Sequence, residues 1–585
     1  MFQKIKSYLF KSNHAQWCIF ALFALTIFLQ CCLFHWLAFQ SILISSLWKN
    51  PLAFWAFYLP KISISLFIAS FVFLFKRKGW TIITSLFINV WIITELIYSR
   101  ANSIFLDAYS MTLIENMVGF WDSILAFVYI QDIVLVIPTI ILIFAFSIFI
   151  NHGCHWRNFV VCICSSLILN GIGLNTLYNY NLKWRTMEDG MIDQSYKYTL
   201  NPFGKNIRNI VGEGWVQDGT ITKYITHLSV IHHFILNVVD MIKLEDNNFE
   251  LPTKDEDRLV NDFIYLGLQD SITPSNPLIL CLIESFETWA ISLETTPNLY
   301  KEISTNQNLL YCPHIISQRR AGNSADGQMI VNTGLLPLQE GAAVFRFPFN
   351  KYPSLSSLYE SSIGIFPHEL GAWNQRYMNQ SYEIDSGIVV SSSDKIIFPK
   401  IIELSQSNDY ILALTMSTHA PFNTYADSSK LYLSDELPET LRKYLKCINV
   451  MDEGLGILLD AWHSNEKIHN STIVITSDHN IFKEGELNWF HGSNENLNKS
   501  ITGFCPLVII SPKLDNNIYI SDTLYQMDIY PTILHLIGCE DYYWKGFGVN
   551  ILDSVARNNR PISEQEAFVL SDKIIRANWF ESFVK

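Results

Sequence analysis

The chain has 585 residues, of which 49% are hydrophobic and only 16% charged, against roughly 25% charged in soluble proteins. The deficit is local: positions 17–180 carry almost no charge while 181–585 have a soluble composition, which excludes both a single soluble enzyme and a disordered or fibrous chain. A formal charge of −13 excludes the basic face that phosphate backbones require, so no nucleic acid is expected as a partner.

Five apolar stretches, at about 17–38, 53–75, 80–99, 131–150 and 159–178, are read as membrane spans, since a hydrocarbon core needs about 20 helical residues. The first is too long for a cleaved signal peptide and is followed by further spans. Lys4, Lys6 and Lys11, then Lys76, Arg77 and Lys78, then Arg157 mark one set of loops, and the alternate loops are neutral or acidic. An excess of Lys and Arg on the cytoplasmic side places the N-terminus inside and residues 181–585 outside. Lys61 and Glu95 fall within spans, where a charge is a functional candidate by default and a snorkelling lysine is the plain alternative. Residues 111–129 have helical spacing that suits an interfacial helix or a packed loop helix.

Residues 181–275 contain a helical run at Ile221–Lys243 and an acidic stretch at Glu245–Asp257, and are read as a juxtamembrane linker. From Pro277 onward short apolar runs alternate with helical ones, which predicts an α/β domain with a mostly parallel sheet. The expected organisation is a helical membrane domain over 1–180, the linker over 181–275 and an extracytoplasmic domain over 276–585. Of the 11 cysteines, five lie beyond the apolar half (Cys281, Cys312, Cys447, Cys505, Cys539). Their odd number and wide spacing support neither a disulfide framework nor a zinc finger.

The apolar runs end in residues capable of chemistry. LILCLI (278–283) precedes Glu284-Ser285, SIGIF (362–366) precedes Pro367-His368, ILALTM (411–416) precedes Ser417-Thr418-His419, and TIVIT (472–476) precedes Ser477-Asp478-His479. Open α/β sheets bind ligands outside the carboxyl ends of their strands, so four such coincidences predict one assembled site. Between them Leu437–Trp462 reads as a long amphipathic helix, and Ser521–Ile537 as another kinked at Pro531.

Glu284, Asp478 and His479 supply two carboxylates and an imidazole, a donor set that suits Mn²⁺, Mg²⁺ or Zn²⁺ with an oxygen bias toward the harder ions. Ser324, in the loop-like stretch Arg319–Gly327, offers a hydroxyl that a bound metal would activate as a nucleophile, or else a helix cap. Ser285 is the competing nucleophile and has the look of a helix start. Downstream of His368, Trp373 offers a pocket wall and Arg376 a phosphate contact; such a cluster is also ordinary packing.

Taken in order, LILCLIESFETW (278–289), GNSADG (322–327), HELGAWNQR (368–376), LTMSTHAPF (414–422), YLKCINVMDEGLG (444–456), TIVITSDH (472–479), FCPLVIISP (504–512) and QMDIYPTILHLIG (526–538) resemble the lipoteichoic acid synthase-like phosphoglycerol transferases of the alkaline phosphatase/sulfatase superfamily. The resemblance implies an alkaline-phosphatase-like domain behind five spans in a bacterial inner (cytoplasmic) membrane, with the catalytic domain on the extracytoplasmic or periplasmic side. It implies a divalent ion, usually manganese or magnesium, on Glu284, Ser324, Asp478 and His479, with Ser324, where the family commonly has Thr, becoming covalently modified. His368, Trp373, Arg376 and His419 match positions that contact the phosphoglycerol group, and Asp452 matches a helical aspartate taken as structural. Where the family has Asp-His-Gly this chain has Asp478-His479-Asn480, and Phe490-His491-Gly492 looks like the lipid A phosphoethanolamine transferases, which makes His491 a substrate-site candidate. No sulfatase maturation motif occurs, since Cys312-Pro313-His314 does not match one.

The expected activity is transfer of a phosphoglycerol headgroup from phosphatidylglycerol to a glycan or polymer acceptor through Ser324, with His419 or His368 assisting the acceptor. A phosphoethanolamine transferase is the alternative, and a catalytically inactive membrane sensor or scaffold the non-enzymatic rival.

Overall fold

The computed structural model describes residues 12–39, 51–74, 79–102, 128–148, 155–188, part of 229–238, 250–265, 272–339, 341–435, 437–481 and 503–582. The chain divides into two compact units, the first lying within its first 244 residues and the second containing everything described from position 250.

In the first unit, all five apolar stretches are helical: Ser12–Phe39, Pro51–Ser70, Gly79–Asn102, Ile137–Ile148 and Trp156–Glu188. Three windows, Gln16–Leu37, Gly79–Tyr98 and Trp156–Thr176, are long and apolar enough to cross a membrane, while Phe57–Phe73 and Ile130–Ala145 form shorter apolar helices. Of the five expected spans, the described residues thus hold three full-length candidates and two shorter apolar helices. The physical reason is local: one short helix tightens into a 3₁₀ turn at Phe71–Phe73, and the other begins as a 3₁₀ segment over Ile130–Leu135.

Polar side chains tie the helices together. Gln30 Nε2 donates to Thr139 Oγ1 at 2.8 Å, Asn89 Nδ2 to the Leu135 carbonyl at 2.7 Å, and Ser63 Oγ to Asn170 Oδ1 at 3.0 Å. Small residues and interhelical hydrogen bonds are what join helices in an apolar solvent. A Cβ on Gly173 would lie 3.2 Å from Leu59 Cβ, a close approach between two helices. Lys61 does not snorkel to an interface: it is 1% exposed, and its ammonium donates to the Phe57 carbonyl and lies over the Phe57 ring. Glu95 is buried as well. The interfacial candidate 111–129 lies outside the described residues except for its last two positions.

Among the described residues the second unit is built on a nine-stranded sheet: β1 Leu278–Ile283, β2 Leu309–Ile316, β3 Ser362–Phe366, β4 Ser386–Val389, β5 Tyr410–Leu414, β6 Thr472–Ser477, β7 Cys505–Ile510, β8 Ile518–Tyr519 and β9 Leu524–Tyr525. The order is β4-β3-β5-β1-β6-β7-β2-β8, with β9 also paired to β2. The pairs from β4 through β6 are all parallel, and β7 runs antiparallel to both β6 and β2. Continuous apolar runs suit this arrangement, because a parallel strand is covered on both faces. Leu278, Leu280 and Leu282 point into a cluster with Met329, Ile533 and Trp544, and the alternate Ile279, Cys281 and Ile283 are buried on the opposite face.

Helix Thr253–Phe263 lies in the stretch read as linker, yet it buries Leu259 and Phe263 in the core cluster of the second unit. The long helix runs Glu439–Ser464, close to its expected bounds. The stretch 521–537 differs from expectation: it holds β9, a 3₁₀ turn at Gln526–Asp528 and a helix only at Ile529–Leu536. Pro531 therefore stands in a first helical turn, where its missing N–H breaks no bond, and it makes no kink.

Asp452 of the long helix caps a second helix, Pro297–Thr305. Its carboxylate accepts from the backbone N–H groups of Asn298 and Leu299, each at 2.9 Å, and from Asn298 Nδ2 at 3.0 Å. Burial raises its pKa to about 6 against those hydrogen bonds. Asp452→Ala is expected to cost about 2 kcal/mol, because two helix-terminal N–H groups lose their acceptor out of reach of water. Thermal unfolding with an unchanged divalent-ion titration would show this; loss of ion binding at full stability would contradict a structural role.

Candidate metal centre and active site

Strands β3, β5, β1 and β6 are consecutive neighbours in the sheet and all parallel. Their carboxyl ends therefore open on one edge, which is why residues almost two hundred positions apart meet there. Glu284, Asp478 and His479 are all buried, and their ligand atoms lie within 4.8 Å of one another. His479 Nε2 stands 3.7 Å from both Glu284 Oε1 and Asp478 Oδ2. Its Nδ1 lies 3.0 Å from the Asn480 carbonyl, and as a donor there it leaves the Nε2 lone pair directed at the carboxylates. Burial, with the Arg319 and His419 charges in support and Asp478 opposing, lowers the His479 pKa to about 4, so the ring is neutral at pH 7.

Glu284 is raised well above the ordinary carboxylate range, first by burial and then by the Asp478 charge, with hydrogen bonds from Ser285 and Ser324 opposing. Two buried carboxylates converging beside a neutral imidazole are poorly compensated by protein alone. The donor set therefore fits a divalent cation, with two oxygens and one nitrogen.

Ser324 is the first residue of helix Ser324–Thr333 and is preceded by Asn323 at φ 45° and ψ −115°, a positive-φ conformation outside the left-handed helical well and so a strained one for a residue with a Cβ. Asn323 thus occupies the cap position that was the plain alternative for Ser324. The half-buried Ser324 hydroxyl donates to Glu284 Oε2 at 3.2 Å. Its position at a helix N-terminus favours negative charge on or near the oxygen. Asp326 holds the approach loop, accepting from the N–H groups of Arg320 at 2.8 Å and Gly322 at 2.9 Å. Gly327 lets this helix reach β6, since a Cβ there would lie 2.0 Å from the Asp478 carbonyl oxygen.

Ser285 sits differently. It is fully buried at φ 52°, its Oγ donates to Glu284 Oε1 at 2.7 Å and its N–H to Asp478 Oδ1 at 2.9 Å. It begins no α-helix; a turn leads instead to a short 3₁₀ segment at Thr288–Ala290.

His419 and His368 are half-buried, and burial lowers the pKa of each. On His419 the Asp478 charge opposes that shift and the His368 charge adds to it. Trp373, at φ 51°, packs its ring 5.8 Å from that of Phe345. Arg376 is exposed on helix Gln375–Ser381. The guanidinium tied to the site is that of Arg319, which donates to the Asn480 carbonyl at 3.2 Å and to Asn323 Oδ1 at 2.5 Å. His491 lies outside the described residues.

Sequence reading missed the threonines that grip Glu284: its N–H donates to Thr415 Oγ1 at 3.0 Å, and Thr418 Oγ1 donates to its carbonyl. Their position at the end of β5 was visible, but nothing in the sequence shows that β5 and β1 are neighbours.

Comparison with known proteins supports the resemblance drawn from the motifs on both halves of the chain. Residues 1–191 match the lipoteichoic acid synthase N-terminal domain, and residues 352–539 match the sulfatase domain. The chain is similar to lipoteichoic acid synthase 1 of Bacillus subtilis, 25% identical over 47% of this chain and 49% of the relative. It is also similar to a lipoteichoic acid synthase of Staphylococcus aureus, 24% identical over 54% of each. It thus spans about half the length of the curated relatives it matches. Among solved structures, the lipoteichoic acid synthase from Listeria monocytogenes aligns at 19% identity with a TM-score of 0.43, covering 51% of this chain and 81% of that one.

Proposed function

We propose that this protein is a membrane-anchored, metal-dependent transferase that moves a phosphoglycerol headgroup from phosphatidylglycerol to an extracytoplasmic glycan or polymer. The observation that carries this reading is the half-buried Ser324 hydroxyl, held 3.2 Å from Glu284 beside the Glu284–Asp478–His479 cluster. Five spans, three long and two short, would hold the catalytic unit at the outer leaflet of a bacterial cytoplasmic membrane, where donor lipid is concentrated.

Glu284, Asp478 and His479, with Ser324 beside them, would hold a manganese or magnesium ion, or zinc; when bound it supplies Lewis-acid stabilisation of phosphoryl charge and a lowered hydroxyl pKa. Ser324 Oγ attacks the donor phosphorus, and the bond from phosphorus to the diacylglycerol oxygen breaks. The phosphoglycerol group is left on Ser324, and the proton lost by the serine is balanced by the one diacylglycerol takes up. An acceptor hydroxyl then attacks the same phosphorus, the bond from phosphorus to Ser324 Oγ breaks, and Ser324 recovers a proton in place of the one the acceptor gives up. His419 suits the base of this second step. Its Nδ1 lies 2.6 Å from the Ala420 carbonyl, and as a donor there it leaves Nε2 to accept the acceptor's proton. His368, Trp373 and Arg376 would border the glycerol end.

The test is release of labelled diacylglycerol by full-length protein in detergent, with phosphatidylglycerol and phosphatidylethanolamine offered separately in Mn²⁺, Mg²⁺ or chelator. Metal-dependent release from phosphatidylglycerol alone is expected. Release from phosphatidylethanolamine alone would overturn the donor assignment and bring His491 into the site. No turnover of either donor in a protein that purifies without divalent metal would favour the sensor or scaffold, whereas no turnover with metal bound would point to a different donor or a missing acceptor.

A further inference from the structure

A fully buried carboxylate that ligates nothing stands behind the site. Asp394 opens helix Asp394–Leu404, with Ser393 at the cap position, and is 0% exposed. Its Oδ1 accepts from the N–H groups of Met416 at 3.0 Å and Ser417 at 3.2 Å, while its own N–H donates to Ser417 Oγ at 3.0 Å. Its Oδ2 is buried with no hydrogen-bond partner among the described residues. The helix is pressed close: a Cβ on Gly454 would lie 2.8 Å from the Asp394 carbonyl oxygen.

The loop gripped in this way carries two parts of the site. Thr415 and Thr418 bracket the Glu284 main chain from either side, and the His419 N–H donates to the Met416 carbonyl at 3.0 Å. An ordinary cap needs only a serine or asparagine, whereas a buried carboxylate with one idle oxygen carries a desolvation cost. A buried carboxylate oxygen left unpaired calls for a compensating reason, and the loop that Asp394 holds supplies one.

We propose that Asp394 is a positioning residue that fixes the Thr415–His419 loop, and through it the placement of both Glu284 and His419. It touches neither the cluster nor substrate. The assignment deepens the transferase reading and rests on it for the role of His419, but not for the link to Glu284.

The test uses Asp394→Asn in the full-length protein, which keeps an acceptor and removes the charge. Three results are expected. Affinity for Mn²⁺ alone falls about tenfold, as for loss of an outer partner of a metal ligand. The Met416 and Ser417 amides exchange with solvent at least about tenfold faster. In transfer assays kcat falls about tenfold with little change in KM, and the loss in the Asp394→Asn/His419→Ala pair is smaller than the product of the two single losses, because part of the effect of Asp394 runs through His419.

Unchanged exchange and unchanged Mn²⁺ affinity would overturn the proposal, as would strictly additive losses in the double variant. If Asp394→Asn fails to fold, Asp394→Ser keeps a helix-cap hydroxyl but removes the carboxylate oxygen that accepts from both Met416 and Ser417, and it is expected to weaken Mn²⁺ binding in the same direction; wild-type affinity there would overturn the proposal. Should the wild-type protein turn over no lipid, the transferase reading fails separately, and amide exchange with Mn²⁺ affinity still decides the role of Asp394.

Discussion

Ser324→Ala is expected to lower transfer by at least about 10³-fold, because a residue that forms the covalent intermediate has no substitute of comparable reactivity. The fold should change little. Ser324 is half-buried and contributes one 3.2 Å hydrogen bond to Glu284, worth about 1 kcal/mol net. The measurement is diacylglycerol release from labelled phosphatidylglycerol, together with a search for phosphoglycerol on the peptide containing Ser324 in the wild-type protein. Ser285 is the internal control. It is fully buried and hydrogen-bonded to Glu284 and Asp478, so Ser285→Ala should disturb the cluster without removing the labelled peptide. Retention of most activity by Ser324→Ala would sink the mechanism.

The second large effect is expected at Glu284. Replacing it by Gln keeps the shape and removes one of two facing charges, so divalent-ion affinity and transfer should both fall by about 10² or more. Stability should move the other way. The Glu284 carboxyl is raised well above its ordinary value, so the folded metal-free protein holds a proton that the unfolded chain releases above about pH 4.3. When the unfolded state binds fewer protons, stability falls as pH rises. From that pH upward, toward the raised folded value, metal-free wild type is therefore destabilised by its own carboxylate. At pH 7 in chelator, Glu284→Gln should be more stable than wild type by about 1 kcal/mol, and excess Mn²⁺ should reverse the order. A melting temperature in chelator below that of wild type would show that the two carboxylates are not in conflict.

Much of the site was legible because of how strands end. A run such as LILCLI or TIVIT is continuously apolar, so it reads as a strand buried on both faces, and the first polar residue after it marks where the strand leaves the core. Glu284, His368, His419 and Asp478 were singled out by that rule, and the bounds of β1 and β3 coincide with the runs that predicted them. Ser324 was less exposed to such reading, since GNSADG could be loop or cap. What made it legible was motif order rather than periodicity. Asp394 gave no signal: an aspartate near a helix start is among the commonest residues there, and its partners Met416 and Ser417 lie more than twenty positions away.

Composition and hydrophobic period thus determined that the chain has an apolar helical part and an α/β part, because those patterns are set by local burial demands along each element. Residue type determined the chemistry on offer: carboxylate, imidazole and hydroxyl at the ends of strands. Only tertiary structure decided the rest. The parallel order β3-β5-β1-β6 brings Glu284 to Asp478 and His479, since strand adjacency is a non-local choice that no single segment encodes. Packing decided that Ser324 faces the cluster half-buried while Ser285 is sealed beneath it, that Arg319 is the guanidinium tied to the site while Arg376 lies exposed, and that Lys61 is covered by the helical bundle. Each of those outcomes depends on which surfaces meet, and burial, distance and charge pairing exist only once they have met.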